Sequence, residues 1–222
     1  MTVTSFYPDA HPESTSVDGA AQHSANGNWA AMQSAGGDGS NDTSGSRPVF
    51  IRFLSGSNWD AFGHLIFLYD TSSLGSDTID SAVNDYTSPS AYAITNDFTD
   101  HLSLVASAPA SNTEVVNGDF DTLGTTRFAD DVAVSGIARD DETPFRFTLN
   151  DDGLDAIDGG GVTKFGIRSN YDRANSEPSS PGDDDSTIVY IFQAEEAVGG
   201  DQRPVLTVTH TAPPFVPRAI MF

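Results

Sequence analysis

The chain has 222 residues, enough for one large all-β domain, and although apolar residues make up only 37% of it, 14 Phe, 6 Tyr and 2 Trp supply bulk for a core. With 32 acids against 10 bases the formal net charge is −22, which leaves no basic footprint for phosphates and argues against nucleic-acid binding. No apolar segment approaches membrane-spanning length, and the absence of cysteine removes disulfides, thiolate metal sites and a cysteine nucleophile.

The opening "MTVTSFYPDAHPEST" has no basic stretch followed by an apolar run, so no secretory leader is expected. Short β-type runs follow, separated by clusters of Gly, Ser, Asp, Asn and Pro: 3–7, 15–20, 29–34, 48–53, 63–69, 78–86, 101–107, 145–149, 162–168, 187–193 and 204–211. No 3.6-residue period is sustained, which predicts an all-β sandwich. The run at 63–69 is the most informative. Leu65, Phe67 and Tyr69 alternate with Ile66 and Leu68, "DTSSLGSD" turns the chain, and Ile79, Ala82 and Tyr86 resume the core. Only a strand buried on both faces needs such a run.

Three long polar insertions, 34–46, 111–131 and 169–186, are turn-rich, and loops of that length in a compact domain are functional or mobile. Short helices are predicted at 117–123 and 150–157, the second capped by Asn150 or Asp151. Residues 1–212 thus read as a single domain. Residues 213–222, "PPFVPRAIMF" preceded by Ala, form an extended apolar tail whose prolines oppose helix and central-strand pairing.

The acids are 26 Asp and 6 Glu, and the bases are nine Arg and the single Lys164. Preference for the short Asp with near loss of Lys suits a surface kept hydrated in concentrated salt, where a Debye length of about 3 Å at 1 M screens self-repulsion. The alternative is an acidic surface with no special habitat.

The blocks "FYPDAHPESTSVDG" at the start, "FLYDTSSLGSDTIDSAV" (67–83), "FTLNDDGLDAI" (147–157), "GVTKFGIRSNYD" (161–172) and "RPVLTVTHT" (203–211) resemble the DNRLRE or disaggregatase-related jelly-roll domains, related in fold to carbohydrate-binding modules. They cover most of 5–211 in the right order, with Asn84 standing where such sequences usually place an apolar residue. The resemblance implies a single jelly-roll β-sandwich with long polar loops and one or two short helices. Such domains occur on secreted enzymes, cell-surface proteins and virus particles, so it implies little about function.

Candidate sites are sparse. His11, His23, His64, His101 and His210 show no metal-ligand spacing, and no nucleophile elbow is present. "PGDDDST" (181–187) and "AGGDGSND" (35–42) could offer oxygens to a structural Ca²⁺, with Asp183, Asp184 and Asp185 first, against the simpler reading of solvated acidic loops. Trp29, Trp59, Tyr7, Tyr86, Tyr92 and Tyr171 are the rings one would enlist for stacking on a sugar, and Trp59, beside Gly and Asn in "SGSNWDAFG", is expected in a loop with its ring exposed. Phe215, Val216, Ile220, Met221 and Phe222 of the tail are either a frayed end or a docking strap for a neighbouring subunit.

The expectation is therefore a non-enzymatic virion structural protein of a virus of a halophilic archaeon: a capsid turret, decoration or tail-associated jelly roll at the virion surface. It would form a homo-oligomer such as a trimer, contact other virion proteins and host surface glycans, and have no nucleic-acid partner and no membrane insertion. The alternative is a carbohydrate-binding module or surface adhesin of a halophilic cell; a polysaccharide-active enzyme ranks third.

Overall fold

The computed structural model describes residues 1–43, 45–179, 181–194 and 202–214. In chain order the elements are β1 (Thr2–Phe6), β2 (Asp18–His23), α1 (Trp29–Gln33), β3 (Gly39–Asn41), β4 (Arg47–Ser55), β5 (Asn58–Asp70), β6 (Thr78–Tyr86), β7 (Thr95–Asn96) and β8 (His101–Ala106). Then come β9 (Val132–Ala133), β10 (Phe145–Thr148), α2 (Asp151–Asp155), β11 (Val162–Ser169), α3 (Asn170–Arg173), β12 (Ser186–Ile191) and β13 (Val205–Thr211). Single 3-10 turns lie at Ser72–Leu74, Asn117–Thr122 and Val134–Gly136.

Two sheets form a sandwich: β1-β13-β6-β10 in one, and a nine-stranded sheet built on β5-β11-β8-β9 in the other. If these eight strands are numbered along the chain, their orders are 1-8-3-6 and 2-7-4-5, the nested antiparallel pairing of a jelly roll. The remaining strands are insertions that widen the second sheet.

β5 organises that sheet. β2 pairs with it over Phe62–Phe67, β4 over its start as far as Gly63, and β11 from Leu65 onward. Each edge holds one partner per residue, so β2 occupies one edge and β4 and β11 share the other. The sheet forks at His64.

The alternation in β5 sorts two cores, as its doubly apolar sequence predicts. Leu65, Phe67 and Tyr69 face the sandwich interior with Phe165, Ile167, Phe147, Leu206 and Val208. Phe62, Ile66 and Leu68 face outward under Trp29 and Met32 of α1 and under Val115, Phe120 and Leu123 of the 111–131 segment. Each fully buried large side chain contributes roughly 1.5–3 kcal/mol. Asn84, standing in an apolar slot, is fully buried in the interior, where its Oδ1 accepts the Tyr69 hydroxyl at 2.9 Å while its Nδ2 has no hydrogen bond to a described residue.

The run 29–34 is a helix rather than a strand. Asn28 Oδ1 accepts the Ala31 amide at 2.9 Å as its N-cap, and Trp29 and Met32, one turn apart, are its buried face. The predicted helices at 117–123 and 150–157 are the 3-10 turn Asn117–Thr122 and α2, the latter capped by Asn150 Oδ1 on the Gly153 amide at 3.0 Å.

Candidate binding cleft

The last residue pair between β5 and β11 is Leu65↔Ile167. One step further, His64 and Arg168 stand side by side, and on its other flank Arg168 pairs with Ser103 of β8. Opposed residues of antiparallel strands share a face, so His64, Arg168 and Ser103 make one polar row across three strands. It lies on the outward face, because His64 is in phase with Phe62 and Ile66. Where β11 ends, Ser169 Oγ accepts the Tyr171 amide at 3.2 Å and caps the single turn of α3, which swings Asp172 over the row.

Asp172 is 2% exposed. Its Oδ2 accepts His64 Nε2 at 2.7 Å and Arg168 Nε at 2.6 Å, and its Oδ1 accepts the Gln33 amide. Burial alone would raise its pKa, but His64 and Arg168 outweigh it and hold the carboxyl well below the usual carboxylate range. His64 Nδ1 lies 3.0 Å from the Phe120 carbonyl oxygen. Both ring nitrogens therefore lie within hydrogen-bond distance of an oxygen. The Phe120 ring stacks on the imidazole at 4.3 Å and 7°. Arg173 donates from Nε to Ser103 Oγ at 2.9 Å.

Above this floor opens a cleft of about 430 Å³, walled by Gln33 and Ser34 from the end of α1, by Asp121 and Thr125 of the 111–131 segment, and by Asn175. The Trp29 indole donates to Asn175 Oδ1 at 3.0 Å and the Trp59 indole to Glu177 Oε1 at 2.8 Å, so the outer aromatic core fixes the 175–177 wall. Trp29 meets Trp59 edge-on at 4.7 Å.

A second buried carboxylate, Asp100, flanks the same end of β11. Burial pushes it up to about 6, against the opposing hydrogen bonds from Ser169 and the His101 amide.

Trp59 is corrected by the structure: it sits on β5, is 0% exposed, and packs edge-on against Phe53 and Phe62, so no ring face is left for a sugar. The glycine and asparagine that suggested an exposed loop form the tight β4–β5 connection just before it. Tyr86 and Trp29 are also buried, whereas Tyr92 is 41% exposed and stacks on Tyr190 at 4.3 Å. Asp183 and Asp184 are exposed on the turn before β12, while Asp185 Oδ2 caps the Gly182 amide at 2.6 Å. Among the described residues no group of three or more acidic, His or Cys side chains is arranged to hold a metal ion. Phe215, Val216, Ile220, Met221 and Phe222 lie outside the described residues.

The residues brought together, His64, Arg168, Asp172, Arg173, Gln33, Asp121 and Asn175, were not singled out by composition or motif. One signal was present: a lone His within "AFGHLIFLYD" places a polar ring in a strand buried on both faces, which requires a buried partner. No family model and no curated protein matches this chain.

Proposed function

We propose that the chain is a non-enzymatic structural module of a virion that infects a halophilic archaeal host, a turret, decoration or tail-associated jelly roll that associates with copies of itself and meets host surface glycans through its cleft. The observation that carries the reading is the complete eight-strand jelly-roll pairing, an architecture used by capsid and lectin domains. The resemblance to disaggregatase-related domains agrees with it. The net charge of −22 fits a particle surface bathed in salt. The cleft floor favours holding over catalysis, since the Asp172 carboxyl, bonded to His64 and Arg168, is held well below the usual carboxylate range and has no proton to give near neutral pH.

The test is mass and shape in molar salt, by light scattering and negative-stain imaging, for the full chain beside a version ending at Thr211. A closed oligomer that falls to monomers on truncation supports the reading and assigns the tail as the strap. A monomer in both cases overturns the particle component. Circular dichroism down a salt series tests the habitat separately: structure lost below a few hundred millimolar salt is expected, and equal stability in dilute buffer refutes it.

The cleft itself favours a second reading, a binding module or adhesin on a halophilic cell surface. It shares the recognition step and dispenses with assembly.

A further inference from the structure

We infer that the cleft recognises a sugar unit carrying a carboxylate, of the hexuronic-acid type, with Arg168 reading the carboxylate. The inference rests on the recognition half of the proposed function and not on particle assembly.

Charge is the first argument. The chain has 10 Lys and Arg against 32 acids, yet two of its arginines converge on this one cleft. On the floor Arg168 is bonded to Asp172 and Arg173 lies 3.5 Å from Asp131, so two ion-paired guanidiniums gather in one cleft of a molecule of formal charge −22. Two guanidiniums in one small cleft favour an anionic ligand over a neutral one. At molar salt, attraction over more than about 3 Å is screened, so an anion must be read by direct contact with a largely buried cation. Arg168 fits, being 9% exposed overall.

Unused hydrogen-bonding capacity is the second. Arg168 spends Nε on Asp172 and Nη1 on the carbonyls of Leu123 and Gly124, and its Nη2 has no hydrogen bond to a described residue. Arg173 differs: Nε, Nη1 and Nη2 are spent on Ser103, Thr125 and Asn170. It supplies charge and rigidity rather than a free donor. Asn175 gives its Oδ1 to Trp29 and keeps its amide donors, and Gln33 gives its amide to Asp172 and keeps its Oε1. On the rim, the exposed Asp121 carboxylate and Thr125 hydroxyl add acceptors. Donors in the depth with acceptors around the mouth match a carboxylate flanked by hydroxyls. A bare inorganic anion would use the donors and meet Asp121 unfavourably.

Size is the third. About 430 Å³ accommodates one or two sugar rings.

The test is a titration of the full chain in molar potassium chloride with glucuronate, its methyl ester, glucose and inorganic sulfate, followed by amide chemical-shift changes and calorimetry. Glucuronate is expected to bind at least about tenfold more tightly than its methyl ester and glucose, with shifts centred on Gln33, Asp121, Thr125 and Asn175. Thr125→Trp, a rim change that fills the cleft without touching the floor, should abolish binding. Arg168→Lys should bring glucuronate and its ester to equal affinity; if that variant does not fold, the acid-to-ester ratio on the wild-type chain decides alone. An ester that binds as well as the acid overturns the carboxylate assignment while leaving saccharide recognition standing. Sulfate binding as tightly as glucuronate overturns the sugar assignment. Binding of none of the four removes the recognition function as well. Oligomerisation is read in a separate experiment, so failure of the particle reading is distinguishable from failure here.

Discussion

Along β5 and β11 the two faces of the nine-stranded sheet are both buried and differently made. On the inner face, Phe67, Phe165 and Ile167 meet the four-stranded sheet, and the buried polar groups of Tyr69, Tyr86 and Asn84 are neutral and bonded to one another. On the outer face the same strands carry His64 and Arg168, covered by a short helix, a 3-10 turn and loops instead of a second sheet. A sheet closes its partner face with continuous hydrocarbon. A patchwork of short elements leaves a gap at the place where the sheet forks, and the polar row fills it. The inner face is scaffold and the outer face is site.

That contrast is broken most directly by truncation at each face. Phe67→Ala should cost about 3–5 kcal/mol by leaving a cavity between the sheets. Its effect on cleft ligands should follow only from the loss of folded protein, as urea melts in molar salt beside a binding titration would check.

Asp172→Ala strikes the other face. It leaves the buried Arg168 and His64 without their carboxylate, and removing one partner of a buried ion pair costs about 3–5 kcal/mol. Unlike the Phe67 change, it should loosen the walls held by Gln33 and Arg168, so cleft signals in the spectrum should broaden while those of β6, β10 and β13 stay sharp. Uniform broadening would contradict the division of labour.

The two buried carboxylates sharpen the comparison through pH. Asp172 has a lowered pKa in the folded chain, so its contribution is present above the unfolded value of about 3.9 and is lost as pH falls below about 4. Asp100 is raised to about 6, so its contribution is complete below about pH 4 and fades as pH rises through about 6. The difference lies in partners: Asp172 has the Arg168 guanidinium and the His64 ring, whereas Asp100 has a hydroxyl and an amide. Asp100→Asn should therefore gain on the wild type between about pH 4 and pH 6, whereas the deficit of Asp172→Ala should shrink below pH 4. Parallel stability curves for Asp100→Asn and wild type over that range would refute the assignment.

How much of this was legible in the sequence follows the same divide. The inner face could be read, because alternation in Leu65, Phe67 and Tyr69 depends only on the two-residue repeat of a strand. The buried Asn84 was visible as an exception, though not its partner Tyr69, fifteen positions away on a neighbouring face of the interior. The outer face was poorly legible. His64 and Asp172 lie 108 positions apart and meet only because the β5–β11 register sets His64 beside Arg168 and a single turn of α3 follows. Trp59 misled for the same reason: Trp29 of α1 closes over it together with Phe53, Phe62 and Phe98, and the five residues of α1 are too few to display a helical period.

The smallest and most local test is Gly166→Ala. A Cβ at this β11 position would lie 2.8 Å from Leu123 Cγ on the outer face and 3.3 Å from the Leu65 carbonyl. Leu123 must give way, at a cost of about 1–3 kcal/mol for overpacking. The inner face has no atom in the path of that methyl group, so its packing should be unchanged. Leu123, however, carries one of the carbonyls that anchor Arg168 Nη1 and forms part of the cleft wall. The expected outcome is a modest fall in melting temperature together with a weakened cleft, read as a loss of ligand-induced shifts at Thr125 and Asn175. A variant that loses the same stability and binds as before would mean that Leu123 only fills space, and that the outer layer can be repacked independently of the polar row it covers.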